Sequence, residues 1–317
     1  MVSTASMGHQ AKLAIKTETT YGTLAVPDTQ LIFASESVGK TAAIVERQGI
    51  RGTRSHVADD ARQGPYTVSG TIVLEPTPAD WVVLLPLIMG GSASGTSYPL
   101  AETLKSFTLL VDRVADRWCY VGCVVTRATI SGTKGGLVRL SLEIVGQKEG
   151  KIVSSAFVEG AAGTADAFPS LTPSVAPPFM FNGDFSLTLV SVASRETESF
   201  ELVIDNAVVA DRFMNSLTII NAPAGDRMVT LTTSHPYASG YTDLYEQALA
   251  GSAGTLALTT YPTSLGTYSL TFTFGTLQVP SRSPVVQDKS EIMLNLNMVA
   301  RKTGSTPELA TVLDSSA

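Results

Sequence analysis

The chain has 317 residues, of which 44% are hydrophobic and 16% charged, and its formal net charge is −6. This length suits two domains of roughly 150 residues, each with its own core. The acidic balance argues against a protein that grips nucleic acid, because phosphate binding depends on Lys and Arg. Charged residues usually make up about 25% of a soluble protein, so the low content favours a surface covered by further copies of the chain.

The first predicted elements are an irregular N-terminal arm and a strand followed by a helix. Residues 1–28 show no periodicity, and residues 1–10 lack the basic start and apolar core of a secretion signal. A strand with alternating apolar residues covers Val68–Glu75. The helix begins with Thr77 as N-cap and Pro78 at the first position, and it ends before Gly90. Its predicted apolar face consists of Trp81, Leu84, Leu85 and Ile88, and Pro86 is expected to shorten it.

The next strand is expected to carry both cysteines of the chain. Cys119 and Cys123 are four residues apart, so on a regular strand both side chains face the same way, about 13 Å apart. That distance is too long for a disulfide, and no His lies near either residue. We therefore predict two reduced core thiols and no metal site.

The rest of the chain repeats the pattern of strands and one helix. Alternation predicts strands at Val138–Ile144, Tyr268–Phe274 and Ile292–Met298, and a second helix at Thr242–Ala250. The apolar run Trp81–Met89 is far shorter than the ~20 residues of a membrane span, so no membrane contact is expected.

The predicted organisation is mainly β, with two tandem sandwich-like or barrel-like domains that each carry one short flanking helix. The Gly91–Gly95 turn returns as Gly251–Gly254, and each half closes on a similar segment, Val145–Gly150 or Val299–Gly304. The predicted first domain is 1–153, with its N-terminal arm and a long loop at 46–65. A predicted linker rich in Ala, Gly, Ser and Pro covers 154–178, and the predicted second domain, with a C-terminal arm, is 179–317.

Motifs for catalysis are weak, and no enzyme activity or cofactor is predicted. Residues Ala34–Thr41 fit a relaxed phosphate-loop pattern, but they hold one glycine and the chain lacks alternating βα units. A hairpin turn with a solvated Lys40 is the favoured interpretation. His9, His56 and His235 are scattered and predict no metal site, and His56 is expected to bond within its loop near Asp59 and Asp60.

The loop at 46–65 is the best candidate for a contact between chains. It contains four arginines and two neighbouring aspartates: Arg47, Arg51, Arg54, Asp59, Asp60 and Arg62. Bidentate Arg–carboxylate pairs with an acidic patch on another copy would fix the register between copies. Nucleic-acid binding and a plain solvated loop are the alternatives; no aromatic residue is interleaved before Tyr66.

Several segments together resemble the major tail tube proteins of long-tailed bacteriophages. They are Glu18–Gly22, Gly49–Arg54, Gly64–Gly70, Pro78–Gly91, Phe200–Asn206, Gly225–Arg227, Ser283–Val286 and Lys289–Ile292. The resemblance implies a virion structural protein, assembled in the host cytoplasm, whose inner strands join those of neighbours into stacked rings. Two fused domains then imply rings of three chains. It also implies tape measure, tail terminator and tail tip proteins as partners, and a lumen through which DNA passes without specific binding.

Polar strand faces would suit such a lumen, and Ser141, Glu143, Asn295 and Asn297 are the predicted lumen-facing positions. The alternative from another class is a β-sandwich adhesin or carbohydrate-binding module. That class displays aromatic residues for stacking on sugars, whereas Trp81 and Trp118 lie in patterns typical of a core.

Overall fold

The structure, a computed structural model, describes residues 6–50, 52–189, 196–238, 250–260, 267–279, 286 and 291–315. It is dominated by antiparallel strands, which confirms the predicted mainly β class. The strands are β1 (Lys12–Thr17), β2 (Thr29–Leu31), β3 (Phe33–Glu36), β4 (Gly39–Glu46), β5 (Ala61–Leu74), β6 (Ser97–Tyr98), β7 (Phe107–Asp112), β8 (Arg117–Thr133), β9 (Arg139–Gly146), β10 (Lys148–Val153), β11 (Ala156–Glu159), β12 (Phe185–Leu189), β13 (Ser199–Asp205), β14 (Met228–Pro236), β15 (Ser252–Thr259), β16 (Ser269–Gln278), β17 (Met293–Arg301) and β18 (Leu309–Asp314).

One helix, α1 (Pro78–Met89), follows β5 and confirms the first helix prediction. Thr77 and Asp80 form a capping box, and Gly90 ends the helix with φ of 81°. The expectation that Pro86 shortens α1 is wrong: the helix runs through it, and the Gly90 N–H still bonds the Pro86 carbonyl. Burial of eight of the twelve residues of α1 offsets the hydrogen bond that the proline removes. No helix among the described residues is long and apolar enough to cross a membrane.

The strands pair in two series that follow the same order. The first series joins β4 to β5, β5 to β9, β9 to β8, β8 to β7 and β10, and β7 to β1. The second joins β13 to β14, β14 to β17, β17 to β16, β16 to β15 and β18, and β15 to β12. Each strand of the first series therefore has a counterpart in the second: β4 corresponds to β13, β5 to β14, and β8 to β16.

A single antiparallel pairing, here called the joint, connects the two series. β8 pairs with β13 from Arg127 opposite Asp205 to Thr133 opposite Ser199. The strands from β4 through β5, β9, β8, β13 and β14 to β17 thus form one continuous main sheet. Most buried residues of both series, with those of α1, belong to one hydrophobic cluster behind this sheet.

Three segments expected to be irregular contain strands. In the N-terminal arm, Leu13 to Ile15 of β1 are buried; β5 already begins at Ala61; and Ala156–Glu159 pairs with β10. Among the remaining linker residues, the Asp166 N–H bonds the Ile152 carbonyl at 2.7 Å, and Phe168 helps to cover a small apolar cluster. Sequence periodicity missed these strands because they are short, or because they are buried or exposed on both faces. The second helix, predicted at 242–250, lies almost entirely outside the described residues.

The cysteines are buried and reduced, as predicted, but they do not face the same way. Cys123 belongs to the main cluster, whereas Cys119 belongs to the small cluster on the other side of the strand. Gly122, with φ of 67°, lies in a bulge of β8 between them. The extra residue reverses the alternation, which is why regular strand geometry gave the wrong face.

Candidate assembly surfaces

The phosphate-loop candidate lies on an interrupted edge strand. β3 and β4 both run antiparallel to β5, so the break at residues 37–38 is no hairpin turn, and the favoured interpretation of Ala34–Thr41 is wrong in that respect. Arg113 holds the break by two bonds to Glu36, at 2.8 and 2.9 Å, and one to the Val38 carbonyl at 2.6 Å. No helix follows, and the Lys40 ammonium lies 3.9 Å from the Tyr66 ring centre, so Lys40 is not freely solvated. This geometry offers no cradle for phosphate.

The histidines do not converge on one site. His56 Nδ1 lies 3.2 Å from a carboxylate oxygen of Glu46, not beside Asp59 or Asp60 as expected. His235 is buried in β14, where its ring nitrogens contact the Glu196 carbonyl at 2.7 Å and the Thr233 hydroxyl at 2.9 Å. Within the described ranges, no group of three His, Cys, Asp or Glu side chains is arranged to hold a metal ion.

The four predicted lumen positions lie on one face of the main sheet, here called the polar face. Strand register places Ser141 in a row with Thr129, Val203, Thr230 and Val299. The next row contains Asn297, and the one beyond it Asn295. Glu143, Asn295 and Asn297 are exposed, and Ser141 is half-buried. The structure therefore brings together positions that are about 150 residues apart in the sequence, through the joint between β8 and β13.

Two cations on the polar face, Arg127 and Arg139, are paired with carboxylates. Arg127 crosses the joint to Asp205 with a separation of 2.6 Å and also approaches Glu143 at 3.7 Å. At the opposite end of the same face, Arg139 pairs with Glu75 at 3.0 Å. Lys134 pairs with Glu198 at 3.2 Å just beyond the end of the joint. Burial alone would raise the pKa of Asp205, but its hydrogen bonds, first among them those from Arg127, lower that pKa overall. Asp205 thus stays ionised, and the pair holds both sides of the joint.

Glu201 adds an exposed carboxylate to this face, in the row of Ser131 and Arg139. With it, four carboxylates and three cations lie on this face: Glu75, Glu143, Glu201 and Asp205 against Arg127, Arg139 and the exposed Arg301. The polar face is therefore net acidic, and Arg127 and Arg139 have carboxylates as their nearest partners.

The loop at 46–65 is the end of a projecting hairpin, here called the arm, in which β4 and β5 flank residues 47–60. Arg47, Arg54 and Asp60 line one hollow at its tip, and Asp59 and Arg62 are exposed. Arg51 lies outside the described residues. The arm also exposes apolar side chains that sequence reasoning did not single out, with Ile44 at 72%, Val45 at 57% and Ile50 fully exposed.

The outer edge of β4 has no strand partner within the described part of the chain. Its counterpart β13 has β8 in that place. An unpaired strand edge presents free N–H and C=O groups and tends to pair with another chain. The β4 edge and the arm together form the candidate assembly surface.

The segments behind the family resemblance hold the fold together. The buried Glu18 carboxylate accepts bonds from the Gly22 N–H, the Thr108 hydroxyl and the Gly122 N–H at 2.8 to 3.0 Å. Asn206 donates to the carbonyls of Ile88 and Val125 at 3.2 Å each. No sequence pattern could assign these roles, because each partner lies about 80 residues or more away, apart from Gly22.

The tryptophans are packed: Trp81 is fully buried, and the half-buried Trp118 has the Lys151 ammonium 5.3 Å from its ring centre. Neither presents an open face for stacking on a sugar.

A family model described as phage tail tube protein matches residues 8–300 of the chain. No curated protein matches it. The matched range contains both series of strand pairings up to β17, the joint and the arm.

Proposed function

Because the chain belongs to the phage tail tube protein family, as the match over residues 8–300 shows, we propose that it builds the tube from rings of three chains. It is a structural component of the virion tail. Each chain supplies two tube domains, 1–153 and 179–317, linked by 154–178. Rings assembled in the host cytoplasm stack head to tail, and the tube conducts DNA during ejection.

The observation that carries this proposal is the joint between β8 and β13. Its antiparallel register from Arg127–Asp205 to Thr133–Ser199 supports the proposal that two such domains join edge to edge. β4 is the counterpart of β13, and its outer edge is open within the described residues. If the second domain of one chain occupies the β4 edge of the next chain as β8 occupies the edge of β13, three chains close into a ring of six domains. Closure removes the unpaired edges that a single chain leaves exposed.

The charges of the polar face support the proposal that this face lines the lumen of the tube. Arg127 and Arg139 are paired with carboxylates on this face, so they have little capacity to bind phosphate. An acidic wall repels the DNA backbone and lets it move without specific binding. Replacing Glu201 by Lys leaves an unpaired cation on this wall and should slow DNA ejection from virions while the tubes remain intact. Unchanged ejection kinetics in such virions would argue against a lumenal polar face.

The ends of the tube would bind different proteins. In line with the resemblance, we propose a tape measure protein in the lumen during assembly, a terminator at one end and tip proteins at the other. The arm, with its exposed apolar and basic side chains, is the proposed stacking element between rings.

Electron microscopy of the purified protein tests the proposal directly. Negative-stain images should show tubes or rings, and a cryo-EM reconstruction should show three chains around each ring with a continuous inner sheet. A ring of six chains would exclude the trimer. Compact monomers at every concentration, with no assembly on tail tips, would exclude the tube.

A further inference from the structure

The strand edges that hold corresponding places in the two series are occupied differently. Val145 and Val299 begin the two similar closing segments, and the register across two strands leads from Val145 to Gly39 and from Val299 to Val203. Residues 35–41 are therefore the counterpart of β13, whose outer edge forms the joint. The proposed function places the next chain at the edge of β4, and what we infer about this edge rests on that function.

The backbone groups of Val38 point to this open edge. Consecutive residues of an antiparallel strand direct their N–H and C=O groups to opposite sides. The Ser37 N–H donates to the Thr71 carbonyl of β5 at 3.0 Å, so the groups of Val38 point away from β5. In the second series the Asn206 N–H donates to a carbonyl of β8, so the groups of Leu202, the counterpart of Val38, point to the joint.

Side chains already occupy the two groups of Val38. Its N–H donates to a carboxylate oxygen of Glu36 at 3.1 Å. Its carbonyl accepts bonds from Nη2 of Arg113 at 2.6 Å and from the Tyr120 hydroxyl at 3.0 Å. Arg113 also donates to both carboxylate oxygens of Glu36, which connects the two sides of the arrangement. We call Glu36, Arg113 and Tyr120 the latch.

The latch prevents the pairing that its counterpart makes. An N–H offers a single proton, so Val38 cannot donate to an incoming strand while Glu36 accepts from it. At the joint the positions that correspond to Glu36 and Lys40 hold Phe200 and Ile204, which are 2% and 0% exposed. Charged side chains that point inward from a strand edge hinder its pairing with other strands. The edge of β4 is thus guarded by charges where the joint is apolar.

We propose that the latch closes the edge of β4 in the free chain and is displaced when the strand of a second copy of this chain pairs there. Release of Val38 by Glu36 and Arg113 is then the slow step of ring closure. The latch keeps single chains apart, while the joint, which has no latch among the described residues, forms within each chain. Glu36 in the phosphate-loop-like segment Ala34–Thr41 accordingly controls assembly.

Two matched double variants test the inference. Glu36→Leu with Arg113→Met removes the ion pair of the latch and leaves no charge without its partner. Asp112→Leu with Arg117→Met removes a neighbouring ion pair of similar burial, in which the arginine side chain is 32% exposed against 37% for Arg113. Arg117 bonds to Asp112 and to the Asp166 carbonyl instead of Val38. Circular dichroism and urea denaturation check that both proteins fold.

Tyr120→Phe is a milder variant that keeps the buried ring and removes only the bond from its hydroxyl to Val38. It keeps the inference testable if the double variant of the latch does not fold. Assembly is followed by light scattering after a jump from low to high protein concentration, and negative-stain microscopy identifies the products.

The latch double variant should form rings and tubes at least about tenfold faster than the wild type, because a charge-assisted hydrogen bond is worth more than the roughly 1.4 kcal/mol that corresponds to tenfold. Tyr120→Phe should accelerate assembly about two- to tenfold, and the control double variant should assemble at the wild-type rate. Unchanged or slower assembly by the latch variants, or equal acceleration in both double variants, would overturn the inference. If the wild type forms neither rings nor tubes, the proposed function fails instead, which is a separate result.

Discussion

Replacing Asn206 by alanine should destabilise the protein strongly although no charge or large side chain is lost. Asn206 is 1% exposed, and its amide donates to the carbonyls of Ile88, near the end of α1, and Val125, beside a bulge of β8. Each lost bond costs about 0.5–1.5 kcal/mol, and a buried carbonyl left without a donor costs about 1–3 kcal/mol. Because the two carbonyls can relax in part, we expect a loss of about 2–4 kcal/mol in the free energy of unfolding.

Urea denaturation followed by tryptophan fluorescence measures this loss, since Trp81 lies in α1. The matched control is Asn297→Ala, an exposed asparagine on the polar face, which should change the free energy by less than about 0.5 kcal/mol. A loss below about 1 kcal/mol for Asn206→Ala, or equal losses in both variants, would show that the amide does not connect α1, β8 and the segment after β13.

Two further predictions follow from ionisation. Burial raises the pKa of Cys119 to about 12 and that of Cys123 well above its ordinary value. Ellman's reagent at pH 8 should therefore find no thiol in the native protein and two after denaturation. Rapid labelling of the native protein would contradict this prediction. Burial would raise the pKa of Glu308, but hydrogen bonds from its own N–H and from Arg227 lower this pKa overall. The stability that ionised Glu308 adds is therefore complete above about pH 4.3 and is lost as the pH falls through the lowered pKa. The urea midpoint of Arg227→Met should therefore fall less steeply between pH 6 and pH 3 than that of the wild type; equal slopes would exclude this role.

The sequence predicted those elements whose signal is local. β9 and β17 were found because one face of each is buried and the other polar, which produces strict alternation. The start and end of α1 were found because Thr77 and Gly90 are capping residues whose effect depends on near neighbours.

The missed features depend on residues that are distant in sequence. The bulge at Gly122 is fixed by bonds to Glu18 and by the packing of Gln147, and nothing in the local pattern announces it. Pro86 is tolerated because the tertiary core surrounds α1. The joint required the pairing of β8 with β13, and polar-face residues such as Ser141 and Asn297 could be chosen from alternation but not placed on one sheet.

The proposed duplication would allow the connections at 47–60 and 206–227 to become different. A ring of six identical subunits carries six identical connections, because symmetry imposes the same environment on each. In the proposed ring of three chains, every second junction lies within a chain, where the linker holds the two domains at high effective concentration. The two connections then have different neighbours and different sequences. The bond from Tyr66 to Leu217 belongs to the junction within the chain. One connection can therefore stabilise that junction while the other remains free to reach the next ring.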